Sequence, residues 1–317
     1  MKKLIKIATR KSMLALTQST WIKDQIEAHH PGVAVELVKI VTKGDKITDV
    51  PLAMVGGKGL FVKEIEESML RGEADLAVHA DLEVHSMKDV PAELPEGLFL
   101  GVVPKRENPR DAFISHQCTT LAELKQGARV GTSSLRRRAQ IANSRPDLEI
   151  IDLRGNVETR LRKLDEGQFD AVILATAGLN RLGLGERVTS HFSPEEMLPA
   201  VAQGALGLEL RKDDPEVHDL ISFLHDEKTA VAVEAERAFL KRLEGGCQVP
   251  LGAFAELREG ELIVTGLIAS VDGRELLRRS LTGPSAEAAT LGVQLAEELL
   301  GMGGQRILAE VYGRPLA

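Results

Sequence analysis

The stretch Arg129-Val130-Gly131-Thr132-Ser133-Ser134-Leu135-Arg136-Arg137-Arg138 reads as a short strand, a hydroxyl-rich turn and the opening of a helix. The strand spans Arg129 to Gly131 and the helix runs from Ser133 to Asn143. The same order recurs twice downstream: strand Leu148 to Leu153 leads into helix Asn156 to Glu166, and strand Asp170 to Ala175 leads into a helical turn near Arg181. Short strands alternating with helices predict an α/β fold, with parallel sheets covered by helices on both faces and ligands bound beyond the carboxyl ends of the strands. Turns of this kind present free backbone N–H groups at a positive helix end, which favours anions.

Toward the N-terminus the pattern repeats. Leu4 to Ala8 is a strand, Ser12 is a candidate cap for a helix running to about His29, Pro31-Gly32 stops it, and Val33 to Val41 is a second strand. A polar, Gly-rich loop from Thr42 to Gly59 precedes a helix over Leu60 to Arg71, with Gly72 as its cap. Ala74-Asp75-Leu76-Ala77-Val78-His79 is then followed at once by the near copy Ala80-Asp81-Leu82-Glu83-Val84-His85. Because the offset is even, either copy presents the same face in one strand position. The second runs directly into Ser86-Met87-Lys88-Asp89-Val90-Pro91 and is expected to hold the strand, although Glu83 in place of Ala77 weighs against it. Leu98 to Val103 is a further strand, and Pro104 to Asp111 has the composition of a linker.

Beyond a second linker, Pro194 to Pro199, the apolar run Ala205 to Leu210 can return to the first sheet, giving two crossings and a hinge. Helix Thr229 to Leu243, strands Leu251 to Leu257 and Glu261 to Ser270, and helices over Ser285 to Leu300 and Gly304 to Tyr312 form a small α+β domain. The expected division is 1–104 with 202–224, 105–201, and 225–317.

At 317 residues, 43% apolar and 27% charged, the chain is globular, and aromatics are scarce at 3%. Two distant cysteines give neither a disulfide framework nor metal spacing, and no stretch approaches a membrane span. A cytoplasmic protein without a metal site is expected. The net charge of −7 speaks against a general nucleic-acid binder, so a local cationic patch needs its own explanation.

That patch is Arg136, Arg137, Arg138, Arg145, Arg154, Arg160, Arg162 and Arg181. Arginine meets carboxylates bidentately, so a ligand with many carboxylates or phosphates follows. Arg137, Arg138 and Arg162 can equally be solvated helix-face charges, whereas Arg136, Arg154 and Arg181 sit at or near turns. Arg10 and Ser12 follow the first strand and suit a similar anion contact. Val55-Gly56-Gly57-Lys58-Gly59 lacks the Ser or Thr and the preceding strand of a phosphate loop. Asp89 is the best-placed carboxylate of the first half. In Leu243-Glu244-Gly245-Gly246-Cys247-Gln248-Val249-Pro250 the flanking Gly and Pro residues mark a tight turn, where an exposed thiol can be alkylated. A buried, inert cysteine is the alternative.

The motifs Ala8-Thr9-Arg10-Lys11-Ser12, Val55 to Phe61, Val84 to Pro91, Gly131 to Arg137, Leu153 to Val157 and Leu243 to Pro250, in this order, resemble the porphobilinogen deaminase (hydroxymethylbilane synthase) family over nearly the whole chain. The resemblance implies two periplasmic-binding-protein-like domains joined by two hinge crossings, and a small third domain bearing the cysteine. It implies a transferase of haem biosynthesis that joins four porphobilinogen molecules head to tail, releases ammonia at each step, and frees hydroxymethylbilane. By similarity, Cys247 carries a covalent dipyrromethane cofactor and Asp89 is catalytic. Lys88, Ser134, Arg136, Arg137, Arg154 and Arg160 would hold the cofactor, and Arg10, Ser12, Lys58, Thr132, Arg154 and Arg181 the substrate. A monomer is implied, with no nucleic-acid or membrane partner. Two departures stand out: Met54 replaces a common Lys, and Ala202 a common Gly. A non-catalytic clamp for a polycarboxylate is the competing reading.

Overall fold

The computed structural model describes residues 2–42, 62–80, 94–245 and 249–314, with 79 and 80 by backbone alone. The chain divides into two compact units, Met1–Arg106 with Ala205–Ala230, and Glu107–Gly204 with Val231–Ala317. It therefore crosses twice between its sheets before the C-terminal segment, near the linkers expected from composition.

In the first unit, β1 (Leu4–Arg10), β2 (Ala34–Ile40), β3 (Leu76–Ala80), β4 (Leu98–Val102) and β10 (Leu206–Arg211) form a sheet of order β2-β1-β3-β10-β4. β1 runs parallel to β2 and β3, while β10 is antiparallel to β3 and β4. The sheet is thus mixed rather than parallel, because β10 arrives from the other unit and needs no right-handed crossover helix. Helix α1 (Met13–His29) begins at Ser12, whose hydroxyl accepts from Ala15 N, and packs Ile22 and Ile26 against Ile5 and Ile7. Helix α2 (Lys63–Leu70) covers the other face through Ile65 and Met69, and Gly72 follows it at φ +72°.

The first hexapeptide copy, not the second, occupies the β3 position. Ala77 lies opposite Ala8 on β1 and Glu209 on β10, with no exposed surface. Glu83 in that seat would bury a carboxylate directly across from another, which is penalised both by desolvation and by like-charge pairing.

In the second unit, β5 (Asp111–Ile114), β6 (Arg129–Gly131), β7 (Glu149–Ile151), β8 (Ala171–Ala175) and β9 (Ser190–His191) give the order β7-β6-β8-β5-β9. β6, β7 and β8 are parallel, and β5 is antiparallel to β8 and β9. Helices α3 (Leu135–Ser144), α4 (Val157–Asp165) and α5 (Thr176–Arg181) follow β6, β7 and β8. A further helix, α6 (Pro215–Ile221), belongs to the first unit. Then α7 (Glu227–Arg242) leads to a three-stranded antiparallel sheet, β11 (Leu251–Arg258), β12 (Glu261–Ala269) and β13 (Leu276–Pro284), with α8 (Ala288–Leu299) and α9 (Gln305–Tyr312) after it.

The buried Glu236 of α7 ties this C-terminal sheet to the segment ahead of β10: its carboxylate accepts from Ala202 N and from Ala255 N. Ala202 is left-handed there, at φ 57°. An L-residue in that region is strained by about 1 kcal/mol, partly offset because Gly adds disorder to the unfolded chain. Ala202→Gly should therefore raise stability by about 0.5 kcal/mol in equilibrium urea unfolding, with an unchanged m-value.

Candidate active site

The parallel trio β7-β6-β8 places the N-termini of α3, α4 and α5 along one edge of the second sheet. β6 ends on Gly131, where a Cβ would stand 2.9 Å from the Phe169 ring. The chain then turns at Thr132, which is fully buried; its hydroxyl accepts from Ser134 N at 3.2 Å. Ser134 is the N-cap of α3, its hydroxyl accepting from Arg137 N, and Ser133 donates to Leu153 O at 2.7 Å. At the next turn Arg154 is exposed, Gly155 takes φ +114°, and Asn156 caps α4 by accepting from Thr159 N. Each turn sets a helix N-terminus close to where the sequence predicts one, and a helix N-terminus favours anions.

The arginines divide by burial. Arg136 is 4% exposed and Arg137 1%. Arg136 donates to both Asp111 oxygens, at 2.7 and 3.2 Å, and also to Leu198 O and Gln203 Oε1. Arg137 donates to Asp111 Oδ1 at 3.0 Å and to Ile173 O. Gln203 in turn donates to Asp111 Oδ1 and Pro109 O. Arg137 is thus no solvated helix-face charge, and both side chains are engaged within the protein. Among the described residues, no hydrogen-bond acceptor meets the buried Arg136 Nε.

Asp111, which carries this cluster, escaped sequence reasoning. It sits at the end of a linker-like run, and nothing local in the chain announces a partner 25 residues away.

Arg160, on α4, is 4% exposed, donates from Nε to Gly155 O, and has its pKa pushed down to about 10 by burial. Arg181, at the end of α5, donates to Gly204 O at 2.8 Å. Arg138 and Arg145 brace the fold: Arg138 donates to Ile150 O and Asp152, and Arg145 to Asp147 and the carbonyls of Leu121, Ala122 and Leu124. Arg162 is an exposed helix charge near Glu166. In the first unit, Arg10 closes β1 half-buried and Ser12 caps α1. Lys58, Lys88, Asp89 and Cys247 lie outside the described residues, as does Met54.

The described residues nearest Cys247 end at Gly245 and resume at Val249. A Cβ on Gly245 would meet the side-chain ends of Leu240 at 2.5 Å and Leu251 at 2.6 Å, so both leucines would have to shift. Tyr312, near the end of the chain, donates its hydroxyl to the Leu243 and Glu244 carbonyls, both at 3.1 Å. On the far side, a Cβ on Gly252 would stand 3.0 Å from Pro199 O and 3.3 Å from Arg136 Cδ. Only four residues separate the cysteine from a position touching Arg136. These donors suit a group rich in carboxylates.

Burial pushes the Tyr312 phenol up to about 12. The unfolded chain ionises it near its ordinary value of 10, so the folded state holds the proton between those limits and loses stability as pH rises from about 10 to 12. Tyr312→Phe should flatten the alkaline limb of stability against pH, followed by urea midpoints from pH 8 to pH 11.

Two family models match the chain: "Porphobilinogen deaminase, dipyromethane cofactor binding domain" over residues 5–219, and "Porphobilinogen deaminase, C-terminal domain" over residues 230–301. A porphobilinogen deaminase of Trichlorobacter lovleyi is 58% identical over 315 residues, covering 99% of both chains. One from Syntrophobacter fumaroxidans is 57% identical over 310 residues, covering 98% of both. Among solved structures, the methionine-binding protein MetQ aligns with 70% of this chain and 89% of its own at a TM-score of 0.44 and 14% identity. Family models spanning both halves, together with relatives matched from end to end, lead to one conclusion: the chain belongs to the porphobilinogen deaminase family.

Proposed function

We propose that this chain is a hydroxymethylbilane synthase, which joins four porphobilinogen molecules head to tail with loss of ammonia at each addition, working as a cytoplasmic monomer without nucleic-acid or membrane partners. What supports the reading most is the cationic edge of the second sheet in a chain whose net charge is −7. Each pyrrole carries two carboxylates, so every ring added brings two more anions to be held.

Dipyrromethane, joined to Cys247 through a thioether, supplies when bound the free pyrrole position at which the first ring is added. Arg154 and Arg160, with the Ser134 hydroxyl and Lys88, would hold its acid side arms by charge-assisted hydrogen bonds, and Arg136 and Arg137, tied to Asp111, would add their positive charge to the site. Arg10, Ser12, Lys58, Thr132 and Arg181 orient the incoming monopyrrole. As the C–N bond of its protonated aminomethyl group breaks, ammonia leaves with the electron pair and the remaining methylene-pyrrole is cationic. Asp89 would stabilise that charge and accept the proton lost when the rings join.

The test is stoichiometric. Purified protein given porphobilinogen should release one ammonia per porphobilinogen consumed; tight binding of porphobilinogen with no ammonia would instead identify a polycarboxylate clamp.

A further inference from the structure

We propose that the β3 position of the first sheet is a two-place seat, which either copy of the tandem hexapeptide can occupy, and that Glu83 alone keeps the first copy there. The seat is defined by described residues. Leu76 lies opposite Ile7 and Leu210, Val78 opposite Leu208, and Ala77 between Ala8 and Glu209. Asp75, just ahead of the strand, accepts from Lys6 N at 2.8 Å and Lys2 Nζ at 2.8 Å, with Arg211 at 3.5 Å.

The second copy supplies the same residue types at the same offsets: Asp81 for Asp75, Leu82 for Leu76, Val84 for Val78, His85 for His79. A slip of six residues keeps every side chain on its face, so the seat cannot tell the copies apart by pattern. Lengthening the connection from α2 by six residues costs little closure entropy. Within the hexapeptide only the Ala77 position differs between the copies, and at the end of the strand Ser86 would replace Ala80, a small residue for a small one. The Ala77 position has no exposed surface, packs with Ile65 and Met69, and faces the fully buried Glu209, so Glu83 would enter it at the cost of an unsolvated carboxylate beside a second acid.

The slip would advance the segment after the strand. With the first copy seated, Asp89 stands nine residues past the last strand residue, Ala80; with the second seated, Ser86 takes that place and Asp89 stands three residues past it. This consequence for catalysis rests on the role given to Asp89 above, whereas the slip itself does not.

The experiment reads stability and amide exchange rather than activity, in the full-length protein, so its failure is distinguishable from failure of the functional reading. Leu76→Asp disables the first copy and should lower Tm by roughly 10 °C or prevent folding. Combining Leu76→Asp with Glu83→Ala should recover most of that loss, because an Ala-bearing second copy can then take the seat, and slow exchange should appear in a peptide spanning 82–86. If Glu83→Ala brings no recovery and no protection there, the second copy never enters the sheet and the proposal is wrong.

Discussion

Asp111→Ala should lower stability by about 4 kcal/mol and, in whatever folded protein remains, leave Cys247 largely unmodified. Asp111 is fully buried and is the carboxylate shared by Arg136 and Arg137. Removing it leaves two guanidinium groups in a site that cannot solvate them, and breaking a buried pair costs far more than the pair itself is worth. The effect should also reach Gln203, which loses Asp111 as an acceptor, and hence the segment from Leu198 to Gly204 that receives Arg136 and Arg181. Asp111→Asn keeps the shape and one acceptor oxygen and should cost roughly half as much. Urea unfolding gives the first quantity and denaturing mass spectrometry the second. Near-normal stability in Asp111→Ala would mean that the arginines find other acceptors, and the cluster would then not be the frame of the site.

Asp89→Asn should reduce ring addition in a single turnover by roughly 10²–10⁴-fold while leaving the cofactor attached. The substitution keeps size and hydrogen bonding but removes the negative charge that opposes the cation formed as ammonia leaves. A group acting only on that charge lowers the rate and spares the thioether, so the two readouts separate chemistry from cofactor retention. Normal addition in this variant would take Asp89 out of the mechanism.

Local chemistry made much of the fold legible. Ser12 and Asn156 cap the helices they were expected to start, because a cap needs only its own neighbours, whereas α3, expected from Ser133, is capped one residue later by Ser134. The return of β10 to the first sheet followed from an apolar run after a linker. β5 was hidden because Asp111–Ile114 is four residues long and follows Pro- and Arg-rich chain. β13 was hidden because Arg278, Arg279, Ser280 and Thr282 make this edge strand, paired on one side with β12, polar. The seating of the hexapeptide turned on one methyl group against one carboxylate, a distinction set by Glu209 on a strand more than a hundred residues away. In the candidate site, the turns bearing Thr132, Ser134 and Arg154 could be read directly. The commitment of Arg136 and Arg137 to Asp111 could not, since periodicity locates a helix face but not the partner buried beneath it.

The central claim is that a thiol between the tightly packed Gly245 and Gly252 anchors an anionic primer beside guanidinium groups of the second sheet. Denaturing mass spectrometry of freshly purified, cofactor-replete protein measures it most directly. The account predicts an added mass of two pyrrole units, lost in Cys247→Ser and mapped to the peptide containing Cys247; an unmodified chain would contradict it.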